Sequence, residues 1–193
     1  MAGSARYTAI LDACVLYPAP LRDVLLSLAR DGLFHARWSS RIENEWIRNL
    51  LRQRPDLNAE RLRRTCELMA KAVPDSLVDG WHTLEASLEG LPDPDDRHVL
   101  AAAICGHADA IVTFNLRDFP QEALSPFGIE AQHPDAFLLN QLELEPLPAL
   151  KSIKAMRARL KNPLVPAQHL VETLEKLHLP LTAARLREAM ELI

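Results

Sequence analysis

Apolar residues along this chain alternate between short unbroken runs and helical stripes. Runs at 7–11, 33–38, 110–113 and 128–131 are strand-sized and bounded by turn residues, as strands buried in a parallel sheet are. Between them the period changes. Leu21, Val24, Leu25 and Leu28 recur at helical spacing behind Pro18 and Pro20, and Ser39 or Ser40 can cap a helix carrying Ile42, Glu45, Trp46, Asn49 and Leu50. Further helices are predicted over 57–72 and 77–88. From residue 93, Asp93 can cap, Pro94 suits the first helical position, and Asp95 and Asp96 fall in the first turn. Alanines at 101–103 permit close packing on a sheet, and Gly106 ends that helix. Pro134 opens another, running through residue 142.

Strands alternating with helices predict a three-layer α/β/α sandwich with a small parallel sheet over residues 1–145. From Pro146 the character changes, and residues 146–193 predict a helical C-terminal extension. Its helices fall near 150–160, 167–177 and 182–192, with a break at Asn162-Pro163. The stripe of Leu170, Leu174, Leu177, Leu186 and Met190 reads as a packing face. The charge of the extension also admits an RNA-facing arm, or a patch that docks a partner.

Composition narrows the class. With 193 residues, 48% apolar and 25% charged, the chain is an ordinary globular domain with an appendix. No apolar run reaches a membrane span and no secretory leader is evident, so no membrane association and a cytoplasmic address are expected. Cys14, Cys66 and Cys105 are odd in number and scattered, which argues against a disulfide framework, and the histidines form no zinc-binding pair. Any metal would be held by oxygen. The net charge of −4 divides unevenly: residues 1–146 carry 14 Lys+Arg against 22 Asp+Glu, a net of −8, whereas 147–193 carry 8 against 4. Arg37, Arg41, Arg48, Arg52, Arg54, Arg61, Arg63 and Arg64 form a local basic stretch, compatible with phosphate contacts or with a solvated face paired to Glu60 and Glu67.

The candidate chemistry lies where strands end. Asp12 follows the first run and Asn115 the third, with Asp118 close behind, and open α/β sheets place their sites at strand carboxyl ends. Glu45, Asp93, Asp95 and Asp96 join them. Gathering carboxylates in one crevice is costly unless a cation neutralises them, and Mg²⁺ or Mn²⁺ with water supports in-line displacement at a phosphodiester. Each position also has a plainer reading. Asp12 can cap a loop, Glu45 can pair with Arg41 or Arg48, Asp93 and Asp95 are most economically helix-start residues, and Asn115 and Asp118 can form turns.

Four segments together resemble the PIN-domain ribonucleases: Ile-Leu-Asp-Ala-Cys-Val-Leu-Tyr-Pro at 10–18, Ser-Arg-Ile-Glu-Asn-Glu-Trp at 40–46, Asp-Pro-Asp-Asp-Arg-His-Val-Leu-Ala-Ala-Ala at 93–103, and Val-Thr-Phe-Asn-Leu-Arg-Asp-Phe-Pro at 112–120. The likeness covers about 6–142 and is nearest the VapC-type toxins of toxin-antitoxin pairs, in a subgroup with an extended C-terminus. It implies that Asp12, Glu45 and Asp96 are the first three acidic positions, with the fourth place shared by Asn115 and Asp118. It implies Mg²⁺- or Mn²⁺-dependent endonucleolytic cleavage of RNA, leaving a 5′ phosphate and a 3′ hydroxyl. In that scheme Asp12 and Asp96, with Asn115, hold metal; Glu45 handles the attacking water; Asp118 contributes through water or holds its loop; and Arg41 or Arg48 steers phosphate. A cognate antitoxin and a homodimer are the partners it implies. The alternative is a PIN fold kept as an RNA- or protein-binding module without efficient catalysis. A receiver-like domain would require a Lys after the last core strand, and a dehalogenase-like phosphatase an Asp where Cys14 stands.

Overall fold

The computed structural model describes residues 7–161 and 164–193, so the break expected at Asn162-Pro163 lies outside the described residues. Strands β1 (Thr8–Leu11), β2 (His35–Arg37), β3 (Ala110–Val112) and β4 (Glu130–Gln132) form one parallel sheet in the order β2-β1-β3-β4. Every residue of the inner pair, β1 and β3, is buried, which is why their sequences are apolar runs rather than alternating ones.

Right-handed crossovers fix the layers. The connection from β1 to β2 carries α1 (Ala13–Leu16) and α2 (Ala19–Arg30). The connection from β2 returns past β1 to β3, carrying α3 (Ser40–Gln53), α4 (Ala59–Ala72), α5 (His82–Glu85) and α6 (Arg97–Cys105). Because these two connections cross the sheet in opposite directions, α2 and α6 cover opposite faces, giving the α/β/α sandwich. α6 packs on β1 and β3, with Ala101, Ala102 and Ala103 fully buried at its closest approach. Ser39 caps α3, its Oγ accepting from Ile42 N, and Asn58 caps α4.

The helix predicted over 77–88 is corrected to a single turn, α5. Asp75 at φ 59 and Gly80 at φ 77 are left-handed, a conformation a right-handed helix cannot absorb. Trp38 and Leu77 instead form a parallel bridge, and Val78 N donates to Trp38 O at 2.9 Å. The stretch therefore adds a rung beyond β2. The short α1 was not foreseen from the sequence.

After α7 (Gln121–Leu124) and β4 come α8 (Pro134–Leu144), α9 (Pro146–Arg159), α10 (Ala167–Lys176) and α11 (Pro180–Glu188). α9 and α10 pack on α2, and α11 packs on α8. Asp135 of α8 caps α11, accepting from the backbone N of Leu181 and Thr182 at 2.9 and 2.8 Å. Leu170, Leu174 and Leu186 are buried and Leu177 and Met190 pack beside them. The apolar stripe packs into the chain's own core. Cys66 is buried, Cys14 and Cys105 half-buried, and all three are free. No helix among the described residues is long and apolar enough to cross a membrane.

Candidate active site

β1 and β3 are neighbours whose onward connections diverge, and a crevice opens at such a switch point. Register pairs Leu11 with Val112, so Asp12 and Thr113 leave the sheet side by side. The Asp12 carboxylate caps α1, Oδ1 accepting from Ala13 N at 2.6 Å. Its Oδ2 accepts from Thr113 Oγ1 at 2.7 Å and from Cys14 Sγ at 3.0 Å. The loop-capping role weighed for Asp12 is thus present, and it leaves the carboxylate between the two strand ends. Burial raises the Asp12 pKa, and Glu45 adds to this, against the opposing bonds from Cys14, Thr113 and Ala13. Burial, then the Asp12 charge, also pushes the Cys14 thiol up, so it remains a protonated donor.

Asp96 ends the 3₁₀ turn Pro94–Asp96 that leads into α6. Asp93 caps that turn, accepting from Asp95 N at 2.8 Å, and both are exposed. Asp96 itself is half-buried, and its carboxyl is pushed up to about 7, first by burial and then by repulsion from Asp12, Asp118, Asp93 and Glu45. Acids from well-separated segments therefore bear on one carboxyl. Asn115 is exposed, its N donating to Thr113 Oγ1 at 3.0 Å, and its side-chain amide has no partner among the described residues. Of the two residues sharing the fourth place, the one whose charge reaches Asp96 is Asp118.

Glu45 on α3 meets His98 of α6, Nε2 to Oε2 at 3.3 Å. Neither arginine weighed as its partner pairs with it. Arg41 pairs with Glu85 of α5, and Arg48 is exposed with no ion pair among the described residues. Two site neighbours were not singled out from the sequence: Cys14 and His98. Cys14 read as an inert thiol, while Thr113 falls with Asn115 in the Thr-x-Asn/Asp pattern of the resemblance. The available signal for His98 was a lone imidazole beside the apolar run 99–103.

A family model described as PIN domain matches residues 8–117. The chain belongs to the PIN-domain family. The matched span of this PIN domain holds Asp12, Glu45, Asp96 and Asn115, and Asp118 lies one residue beyond it. Residues 134–188 match a second model, the VapC50 C-terminal domain, so the PIN domain's α8 falls with the helices that follow it. A relative from Mycobacterium tuberculosis (strain ATCC 25618 / H37Rv), named "Putative ribonuclease VapC50", is 61% identical over 49 residues, which is 25% of this chain and 29% of the relative. The match thus spans less than a third of that relative's length. No solved structure matches the chain.

Proposed function

We propose that the chain is a Mg²⁺- or Mn²⁺-dependent endoribonuclease, acting in the cytoplasm as the toxin of a type II toxin-antitoxin pair. The observation that carries this is the convergence of Asp12, Glu45 and Asp118 on Asp96 at the switch point, where burial first, and then repulsion from these acids and Asp93, raises the Asp96 carboxyl to about 7. Such repulsion is what a divalent cation relieves. The donor set is all oxygen, which suits hard cations. Among the described residues no three His, Cys, Asp or Glu side chains form a ready cage, so few carboxylates and several waters would complete the shell, as Mg²⁺ accepts. Asp12 and Asp96 would hold the ion, with Asn115 or Asp118 beside them. When bound, it would stabilise charge on the scissile phosphate.

The chain's own residues supply the rest. Glu45 orients a water and accepts one of its protons as the oxygen attacks phosphorus; the P–O3′ bond breaks and the departing 3′ oxygen takes a proton from solvent, leaving a 5′ phosphate and a 3′ hydroxyl. Arg48 follows Glu45 by three residues and Arg52 by seven, so both continue its helix face as exposed phosphate contacts. Arg41, answered by Glu85, is the weaker candidate for that role. The net −8 of residues 1–146 suits an antitoxin that brings a basic side chain to the crevice, and a homodimer is part of the same reading.

Asp96→Asn should abolish metal-dependent cleavage of RNA in a nuclease-free preparation while the fold persists by circular dichroism. Cleavage retained by that variant overturns the assignment. The second reading, a PIN fold that binds RNA or protein without cleaving, draws on the lack of a ready three-residue cage. Calorimetric titration with Mg²⁺ and Mn²⁺ separates them: no heat of binding favours the module.

A further inference from the structure

We infer that His98 is a positioning residue for Glu45, held in turn by Trp81; this rests on the nuclease reading, in which Glu45 handles the attacking water. His98 lies two residues after Asp96 and is only 2% exposed. Its Nε2 is 3.3 Å from Glu45 Oε2, while its Nδ1 is buried with no partner among the described residues. An ionised carboxylate only accepts, so the imidazole nitrogen that faces it is the one that carries a hydrogen. Nε2–H is therefore the hydrogen that faces the carboxylate, across 3.3 Å. Leu or Val would fill this place in α6 without stranding a polar atom, so packing alone does not account for the imidazole.

The consequence falls on Glu45. Its side chain is 30% exposed, and a free glutamate has several rotamers to lose. One oxygen is fixed by His98, and Oε1 accepts no hydrogen bond among the described residues. The Glu45 charge acts on both Asp12 and Asp96, so its placement is set relative to the crevice. Trp81 is buried, its ring centroid 6.1 Å from that of His98, and it stacks on His82 at 3.7 Å. The Arg41–Glu85 pair ties the same stretch back to α3, the helix that carries Glu45. The contacts close a circuit through α3, α5, Trp81, His98 and Glu45. A side chain locked by such neighbours keeps the geometry that a catalytic group needs.

The test uses the full chain with Mn²⁺ or Mg²⁺, on total tRNA and on a fluorogenic mixed-sequence single-stranded RNA. His98→Leu should lower kcat by about 10–100-fold with KM little changed. His98→Gln, which can place an N–H donor near the position of Nε2, should recover most of that loss. On a Glu45→Gln background, His98→Leu should add nothing further. Full activity in His98→Leu, no recovery in His98→Gln, or a loss that adds to that of Glu45→Gln overturns the inference; thermal melts identify any variant that has merely unfolded. Should the wild-type chain cleave neither RNA, the nuclease reading fails, and imidazole ¹⁵N spectra still decide the contact. An Nε2–H tautomer whose resonance moves on Glu45→Gln supports it, and an Nδ1–H tautomer or an unmoved resonance refutes it.

Discussion

Replacing Asp96 by Asn should stabilise the metal-free protein even as it disables the proposed site. Burial and four neighbouring acids raise this carboxyl from 3.8 to about 7, so ionising it is harder in the folded chain than in the unfolded one. A raised acid pKa lowers stability as pH rises. The penalty begins near pH 4, where the unfolded carboxyl ionises, grows to about pH 7, where the folded one does, and is constant above. At 1.36 kcal/mol per unit the full shift is worth about 4 kcal/mol. The carboxyl is half-buried, and solvent screening reduces that to about 1–2 kcal/mol. For a chain of this size the gain is about 2–8 °C in Tm.

Urea and thermal denaturation with a chelator, at pH 4 and pH 8, measure it. The variant should exceed wild type at pH 8 and match it near pH 4. Added Mg²⁺ should stabilise wild type by mass action and leave the variant where it was. A variant no more stable than wild type at pH 8, or a gain of equal size at both pH values, refutes the electrostatic account of the crevice.

Thr113→Val removes the 2.7 Å bond to Asp12 and strands the N–H of Asn115, and should cost about 1–3 kcal/mol in urea unfolding. Arg48→Ala should weaken binding of single-stranded RNA and flatten the slope of log affinity against log salt by about 0.7. Arg41→Ala should leave that slope unchanged and cost about 0.2–1 kcal/mol of stability through the lost Glu85 pair. Asp135→Ala leaves the N-terminus of α11 uncapped and should cost about 1–2 kcal/mol in thermal melts, with cleavage per folded molecule unchanged.

What could be read from the sequence was local, and what could not be read was mostly not. β1 and β3 were visible because strands buried on both faces are written as apolar runs, and the cap at Asp93 because its chemistry is complete within three residues. The stretch 77–88 misled because Val78, Trp81 and Leu88 are buried at spacings a helix would also use, while Gly80 breaks it with a left-handed backbone. Arg41 was weighed against Glu45 because both lie on one helix, yet its partner is 44 residues away in sequence. His98 escaped for the same reason. Its meaning lies in Glu45, which reaches it from α3 only after the chain has passed from β2 back to β3.

The acidic crevice has no single local author in the chain. Asp12 arrives from β1, Glu45 from α3, Asp96 from the turn before α6 and Asp118 from the loop after β3, so the repulsion on Asp96 exists only once those segments are docked. Folding therefore works against these charges, and stabilisation must come from elsewhere in the molecule. The C-terminal helices are placed to provide it, since they bury Leu150, Ile153, Met156, Leu170, Leu174 and Leu186 and seal α8 to α11 through Asp135. Each such side chain contributes about 1.5–3 kcal/mol when fully buried, enough for several of them to offset the penalty at Asp96. The extension can thus serve the crevice through α2 and the shared core while its own residues stand outside the acidic set.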